Sequence, residues 1–95
     1  MTIVKRTHDE LYLREDRHLE PKEYFKFLLD LTRANIKDEP NRFDILDVGC
    51  ASGDFLYFLH QEFPNARLHG IDILPALVKA ARHKVPGADI IVGDI

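Results

Sequence analysis

The sequence predicts an α/β protein built on a parallel sheet, and three observations point to it. Apolar runs at 42–48, 67–73 and 88–92 alternate with two helix-length segments. Short loops joining strand, helix, strand, helix and strand mean parallel pairing through crossovers. The strands are also apolar in both side-chain parities. Ile90, Ile91 and Val92 are consecutive, as are Ile45 and Leu46, and such strands are buried on both faces.

Residues 1–19 are highly charged, with isolated apolar positions, and read as an arm with a short helical piece near 9–17. Pro21 suits the first turn of a helix. From there Tyr24, Phe25, Phe27, Leu28, Leu31 and Ile36 recur at three- and four-residue spacing. That is an amphipathic helix with an aromatic-rich face, of about four turns. Asp38-Glu39-Pro40-Asn41 ends it. The N-terminal arm and helix therefore occupy 1–41, and a β-α-β-α-β portion occupies 42–95.

Within that portion the first strand covers 42–48. A helix over 54–63 has Phe55, Phe58, Leu59 and Phe63 on one face. Pro64-Asn65 turns the chain into the second strand, 67–73. Pro75 opens a helix with Leu77, Val78 and Ala81 inward. Lys79, Arg82, His83 and Lys84 point outward or lie near its C-terminus, where cations favour the helix dipole. Pro86-Gly87 is a turn, and 88–92 is the third strand.

Crossovers are right-handed in nearly all cases. With the three strands in order 3-2-1, both crossover helices fall on one face. The other face and the outer edge of the first strand then need a cover. The candidates are the N-terminal segment, a second copy in a homodimer, or a missing C-terminal half. The domain reads as incomplete.

At 95 residues the chain is one domain at most. Hydrophobic content of 45% and charged content of 31% are ordinary for a globular protein. The net charge is −3, and residues 43–95 carry four basic against seven acidic side chains. Nucleic acid is not indicated, and a phosphate-rich ligand held by cations is disfavoured. The single cysteine, Cys50, allows no intrachain disulfide and fits a reducing compartment. No apolar run approaches the roughly 20 residues of a membrane span, and the N-terminus lacks the apolar region of a signal peptide. A cytoplasmic protein without a membrane partner is expected.

The chemistry concentrates where strands end. The loops after the three strands share the carboxyl edge of the sheet, where open α/β folds bind ligands. They carry Gly49 and Gly53, then Asp72, then Gly93 and Asp94. Asp72 stands 19 residues past Gly53, and a carboxylate there suits a ribose diol. A phosphate-cradling loop needs a lysine after its second glycine, and Asp54 stands there instead. The nicotinamide and flavin fingerprint needs Gly-x-Gly-x-x-Gly, whereas this chain has Gly49-x-x-x-Gly53 with Ala51 between. Asp47 and Asp54 flank the turn and would repel a pyrophosphate. A ligand with a ribose, a base and a cationic group, and no phosphate, fits better. Cys50 reads as a small buried thiol. The five histidines show no metal spacing, so no metal is expected. The aromatic residues read as core.

Asp47-Val48-Gly49-Cys50-Ala51-Ser52-Gly53 resembles motif I of the class I S-adenosylmethionine-dependent methyltransferases, whose usual form is Asp-x-Gly-x-Gly-x-Gly. His69-Gly70-Ile71-Asp72-Ile73, with Pro75-Ala76-Leu77 and Ala80-Ala81-Arg82 after it, is similar to the family's second-strand block and following helix. Gly93-Asp94 is similar to the end of its third strand. The resemblance covers about 42–95 and implies a partial Rossmann-like sheet with S-adenosylmethionine as cofactor. It implies that Asp47 holds the ammonium of the methionine moiety, and that Gly49, Cys50, Ala51 and Gly53 pass close to that moiety. Asp72 would accept the ribose hydroxyls, Ile73 would pack on the adenine, and Asp94 would accept the adenine amine with Ile95 alongside. Tyr12, Arg14, Arg17 and His18 would suit a lid. The departure is Ala51 in place of the middle glycine. Catalytic residues and the methyl acceptor are not assigned. The competing readings are a non-catalytic cofactor-binding or dimerisation module and a nicotinamide-binding domain.

Overall fold

A computed structural model describes residues 2–5, 23–36 and 42–94. Along the chain lie β1 (Thr2–Lys5), α1 (Glu23–Asn35), β2 (Phe43–Val48), α2 (Asp54–Glu62), β3 (Ala66–Asp72), α3 (Pro75–Lys84) and β4 (Asp89–Val92). The strands form one parallel sheet in the order β1-β2-β3-β4. The three strands expected from the sequence are β2, β3 and β4, and they lie in the expected order. The helical piece expected near 9–17 and the candidate lid residues lie outside the described residues.

A fourth strand joins them. β1 pairs with β2 from Thr2↔Ile45 to Lys5↔Val48 and covers the edge that the sequence left bare. Thr, Ile and Val favour strands, but four residues bordered by charge give too little alternation to stand out.

Among the described residues the main core lies between the sheet and the helices α1, α2 and α3. Ile45, Leu68 and Ile90 rise from the strands, Phe55, Leu56 and Leu59 come from α2, and Val78 and Ala81 from α3. The register explains the choice. Ile45 pairs with Leu68, and Gly70 pairs with Ile90, and partners in a parallel ladder share a face. A Cβ on Gly70 would lie 2.9 Å from both Cys50 Sγ and Leu56 Cδ1, so the missing side chain is what lets α2 settle on β3.

α1 packs over α2 on this same face. The Phe25 ring sits 5.3 Å from Phe55 and 6.1 Å from Phe58, and Arg33 reaches Glu62 at 2.7 Å. The expected single aromatic face is corrected here. Phe25 and Thr32 are buried and Leu28, Leu29 and Ile36 are partly so, while Tyr24, Phe27 and Leu31 are exposed. α1 therefore does not cover the second face of the sheet. In β4, Ile90 is 4% exposed and its neighbour Ile91 is 56% exposed. Among the described residues no helix packs over Ile91.

That second face also carries a charged row at the amino end of the strands. Asp44 bonds His69 Nε2 at 2.9 Å and Arg67 at 3.0 Å, and His69 Nδ1 lies 3.9 Å from Asp89. The His69 hydrogen bond, aided by Arg67, holds the Asp44 carboxyl below the usual carboxylate range against the opposing effect of burial. A depressed folded pKa contributes stability above the unfolded value, lost as pH falls through the folded one. Asp44→Asn should therefore lower the melting temperature modestly near neutrality, where that contribution is present, and converge with the unmodified chain in acid, so that its fall below about pH 4 is flatter. Melting curves from pH 2 to 7 check this.

The free edge of β4 is also occupied. Gly93 N–H donates to Asp72 O at 3.0 Å, so Ile91 faces β3 and the backbone of Ile90 faces outward. Arg82 closes that position from α3, donating from Nε at 2.9 Å and from its terminal nitrogen at 2.7 Å to Ile90 O.

Candidate functional site

β2 ends at Val48 and the chain turns through Gly49–Gly53 into α2. Three residues of this loop have left-handed backbone: Gly49 (φ 76°), Ala51 (φ 51°) and Gly53 (φ 85°). Alternate left-handed residues coil the backbone tightly. Gly49 N–H and Cys50 N–H both donate to Ile71 O, at 2.8 and 3.0 Å, and Gly53 N–H donates to Cys50 O at 3.0 Å. The loop is thus tied to the end of β3.

Ala51 adopts the left-handed conformation usually left to glycine. An alanine there costs roughly 1–2 kcal/mol. Its methyl is fully buried against Leu77, with Leu74 alongside, and its N–H donates to Asp72 Oδ2 at 3.0 Å. These contacts offset the strain, so the loop keeps its shape without the middle glycine.

Asp72 joins the two strand ends. Its Oδ2 holds Ala51 and its Oδ1 accepts from Leu74 N–H at 3.0 Å. Each carboxylate oxygen accepts more than one hydrogen bond, so the group braces the loops and keeps acceptor capacity. Asp47 is wholly buried beneath the loop and Asp72 is 4% exposed. Asp47 pairs in register with Gly70, two residues before Asp72. Two carboxylates are thereby held at the ends of neighbouring strands, a donor set that suits a cation and hydroxyls.

Of the other candidate residues, Cys50 is buried with its sulfur against Gly70. Ile73 is 62% exposed just past Asp72, and Asp94 is exposed after β4. All share the carboxyl edge of the sheet with Asp47. Ile95 lies outside the described residues. Among the described residues no group of three or more His, Cys, Asp or Glu is placed to hold a metal, and no helix is long and apolar enough to cross a membrane.

One part of the site was missed from sequence. Lys84 does not point outward. Its ammonium pairs with Asp54 at the start of α2. Asp54 is 1% exposed and Lys84 is mostly buried. The acidity of Asp54, read as hostile to pyrophosphate, is therefore largely compensated. That exclusion rests on Asp47 and the glycine spacing. A lysine 30 residues away along the chain gives no local sign of such a partner.

The fold and the loop define a class: an open parallel α/β domain with buried carboxylates and a left-handed loop at its strand ends. The profile of the methyltransferase-domain family matches residues 45–95, and the chain belongs to that family. It is 32% identical over 73 residues to a malonyl-[acyl-carrier protein] O-methyltransferase of Ilyobacter polytropus, covering 74% of this chain and 27% of that protein. It is 41% identical over 51 residues to a trans-aconitate 2-methyltransferase of Escherichia coli, covering 54% of this chain and 20% of that one. The chain thus spans about a quarter or less of these curated relatives. Among solved structures, the S-adenosylmethionine-bound amino pentose methyltransferase CalS10 of Micromonospora echinaspora superimposes with a TM-score of 0.65 at 28% identity. That match covers 95% of this chain and 37% of CalS10.

Proposed function

We propose that this chain binds S-adenosylmethionine at the carboxyl ends of β2, β3 and β4, as the cofactor-binding portion of a methyltransferase. The observation that carries the reading is the pair of buried carboxylates, Asp47 and Asp72, on either side of a loop left-handed at residues 49, 51 and 53. When bound, the cofactor supplies a methyl group activated on a sulfonium. Asp47 holds the methionine ammonium, and the Gly49–Gly53 backbone lies along that moiety. The spare acceptor capacity of Asp72 takes the ribose hydroxyls. Ile73 offers apolar surface to the adenine, and Asp94 accepts its amine. Transfer to an acceptor belongs to the whole protein, and the acceptor is left open.

Calorimetry with S-adenosylhomocysteine, NAD and AMP tests the reading. S-adenosylhomocysteine should bind and the two phosphate-bearing ligands should not. A folded chain that ignores S-adenosylhomocysteine would overturn it. The exposed face around Ile91 suits further polypeptide or a second copy, which sedimentation distinguishes. The lone buried Cys50 fits a reducing compartment, and the cytoplasm is the proposed location.

A further inference from the structure

We infer that Lys84 is a positioning residue for the cofactor loop, acting through Asp54 from behind; this rests on the proposed cofactor site. Two contacts from the last turns of α3 meet the loop. Ala81 packs against Gly53 so closely that a Cβ there would lie 3.0 Å from Ala81 Cα. Lys84, three residues on and so on the same helix face, donates to Asp54 Oδ1. The Ser52 hydroxyl donates to the other oxygen, Asp54 Oδ2, at 3.4 Å. β3 grips Gly49, Cys50 and Ala51 at the start of the loop. The Ser52–Asp54–Lys84 chain grips its end.

Asp54 is in the first turn of α2, next to Gly53. Without the ammonium, its carboxylate stays in a site with almost no access to water, which is unfavourable. It then turns outward and takes the first turn of α2 with it. The backbone that lies along the ligand loses its shape.

The sign of the effect separates the roles. If Lys84 acted only as a charge, its removal would add net negative charge near the site and tighten binding of an ammonium-bearing ligand. If it only stabilised the fold, melting temperature would fall and the folded fraction would bind normally. A positioning residue predicts weaker binding by the folded fraction.

The test uses the whole chain, with S-adenosylhomocysteine as the calorimetric probe. Lys84→Met should bind about 10- to 100-fold more weakly after correction for the folded fraction. Lys84→Arg should recover most of the loss. Should Lys84→Met fail to fold, Lys84→Gln, whose amide can donate to the Asp54 carboxylate but carries no charge, takes its place and should show a smaller weakening in the same direction. Unchanged or tighter binding in either variant overturns the inference. Hydrogen exchange provides a readout that needs no ligand. The amides of Gly53 and Tyr57, bonded to Cys50 O and Gly53 O, should exchange at least tenfold faster in Lys84→Met than amides of β3. If the unmodified chain does not bind the probe, the cofactor reading fails, and exchange at these amides still decides whether Lys84 holds the loop.

Discussion

Replacing Asp47 by asparagine is expected to weaken S-adenosylhomocysteine binding by about 1.5–3 kcal/mol, roughly ten- to a hundredfold. The amide keeps the shape of the carboxylate and loses its charge, so it offers an ammonium a neutral acceptor in place of an ionised one. Asp47 is fully buried, and a charge there is little screened by salt. S-adenosylhomocysteine carries the ammonium and the ribose but no sulfonium charge, so the loss reports on the ammonium alone. Methylthioadenosine lacks the amino-acid part, and its affinity should hardly change in the same variant. Equal losses for both ligands would mean that Asp47 shapes the loop and does not hold the ammonium.

Gly53→Ala should cost about 2–5 kcal/mol of stability, read as a lower urea midpoint at an unchanged slope. Left-handed backbone alone contributes roughly 1–2 kcal/mol of that. Ala51 shows that the loop accepts an alanine at positive φ where its methyl has somewhere to go. Gly53 differs in its surroundings. Its φ is 85°, and a Cβ would meet backbone, Ala81 Cα at 3.0 Å. Backbone cannot rotate away as a side chain can, so crowding adds about 1–3 kcal/mol. An unchanged midpoint would show that α3 yields to the methyl. The companion change, Ala51→Gly, should move stability by no more than about 1 kcal/mol, because relief of strain is opposed by greater freedom in the unfolded chain.

The sequence made the β2–β4 portion legible because its signals are local. Pro64, Pro75 and Pro86 punctuate it, and the strands between are apolar enough to permit few alternatives. Leu77, Val78 and Ala81 were expected inward and are buried. The strand-end candidates from Asp47 to Asp94 could be read for the same reason, since parallel connectivity sends every such loop to one edge. What the sequence hid depends on distant partners. Thr2–Lys5 is a strand because β2 is there to pair with it. α1 has apolar residues on more than one face, and only the position of Phe55 and Phe58 selects Phe25 over Phe27. Lys84 looks like an ordinary cation at a helix end until Asp54, 30 residues away, is placed beside it. Positive φ at Ala51 had no sequence sign beyond the family pattern it interrupts.

Arg82 gives the sheet two unlike borders. At β4 the outward carbonyl of Ile90 is already taken, so an incoming strand would first have to displace a charged, doubly bonded guanidinium. At the opposite border, among the described residues, only the four residues of β1 flank β2. Spontaneous opening should therefore run in one direction. Amide exchange should begin at β1, reach β2 next, and leave the β3–β4 ladder protected longest. Any strand recruited from another chain should enter by the same door, at the cost of releasing Thr2–Lys5.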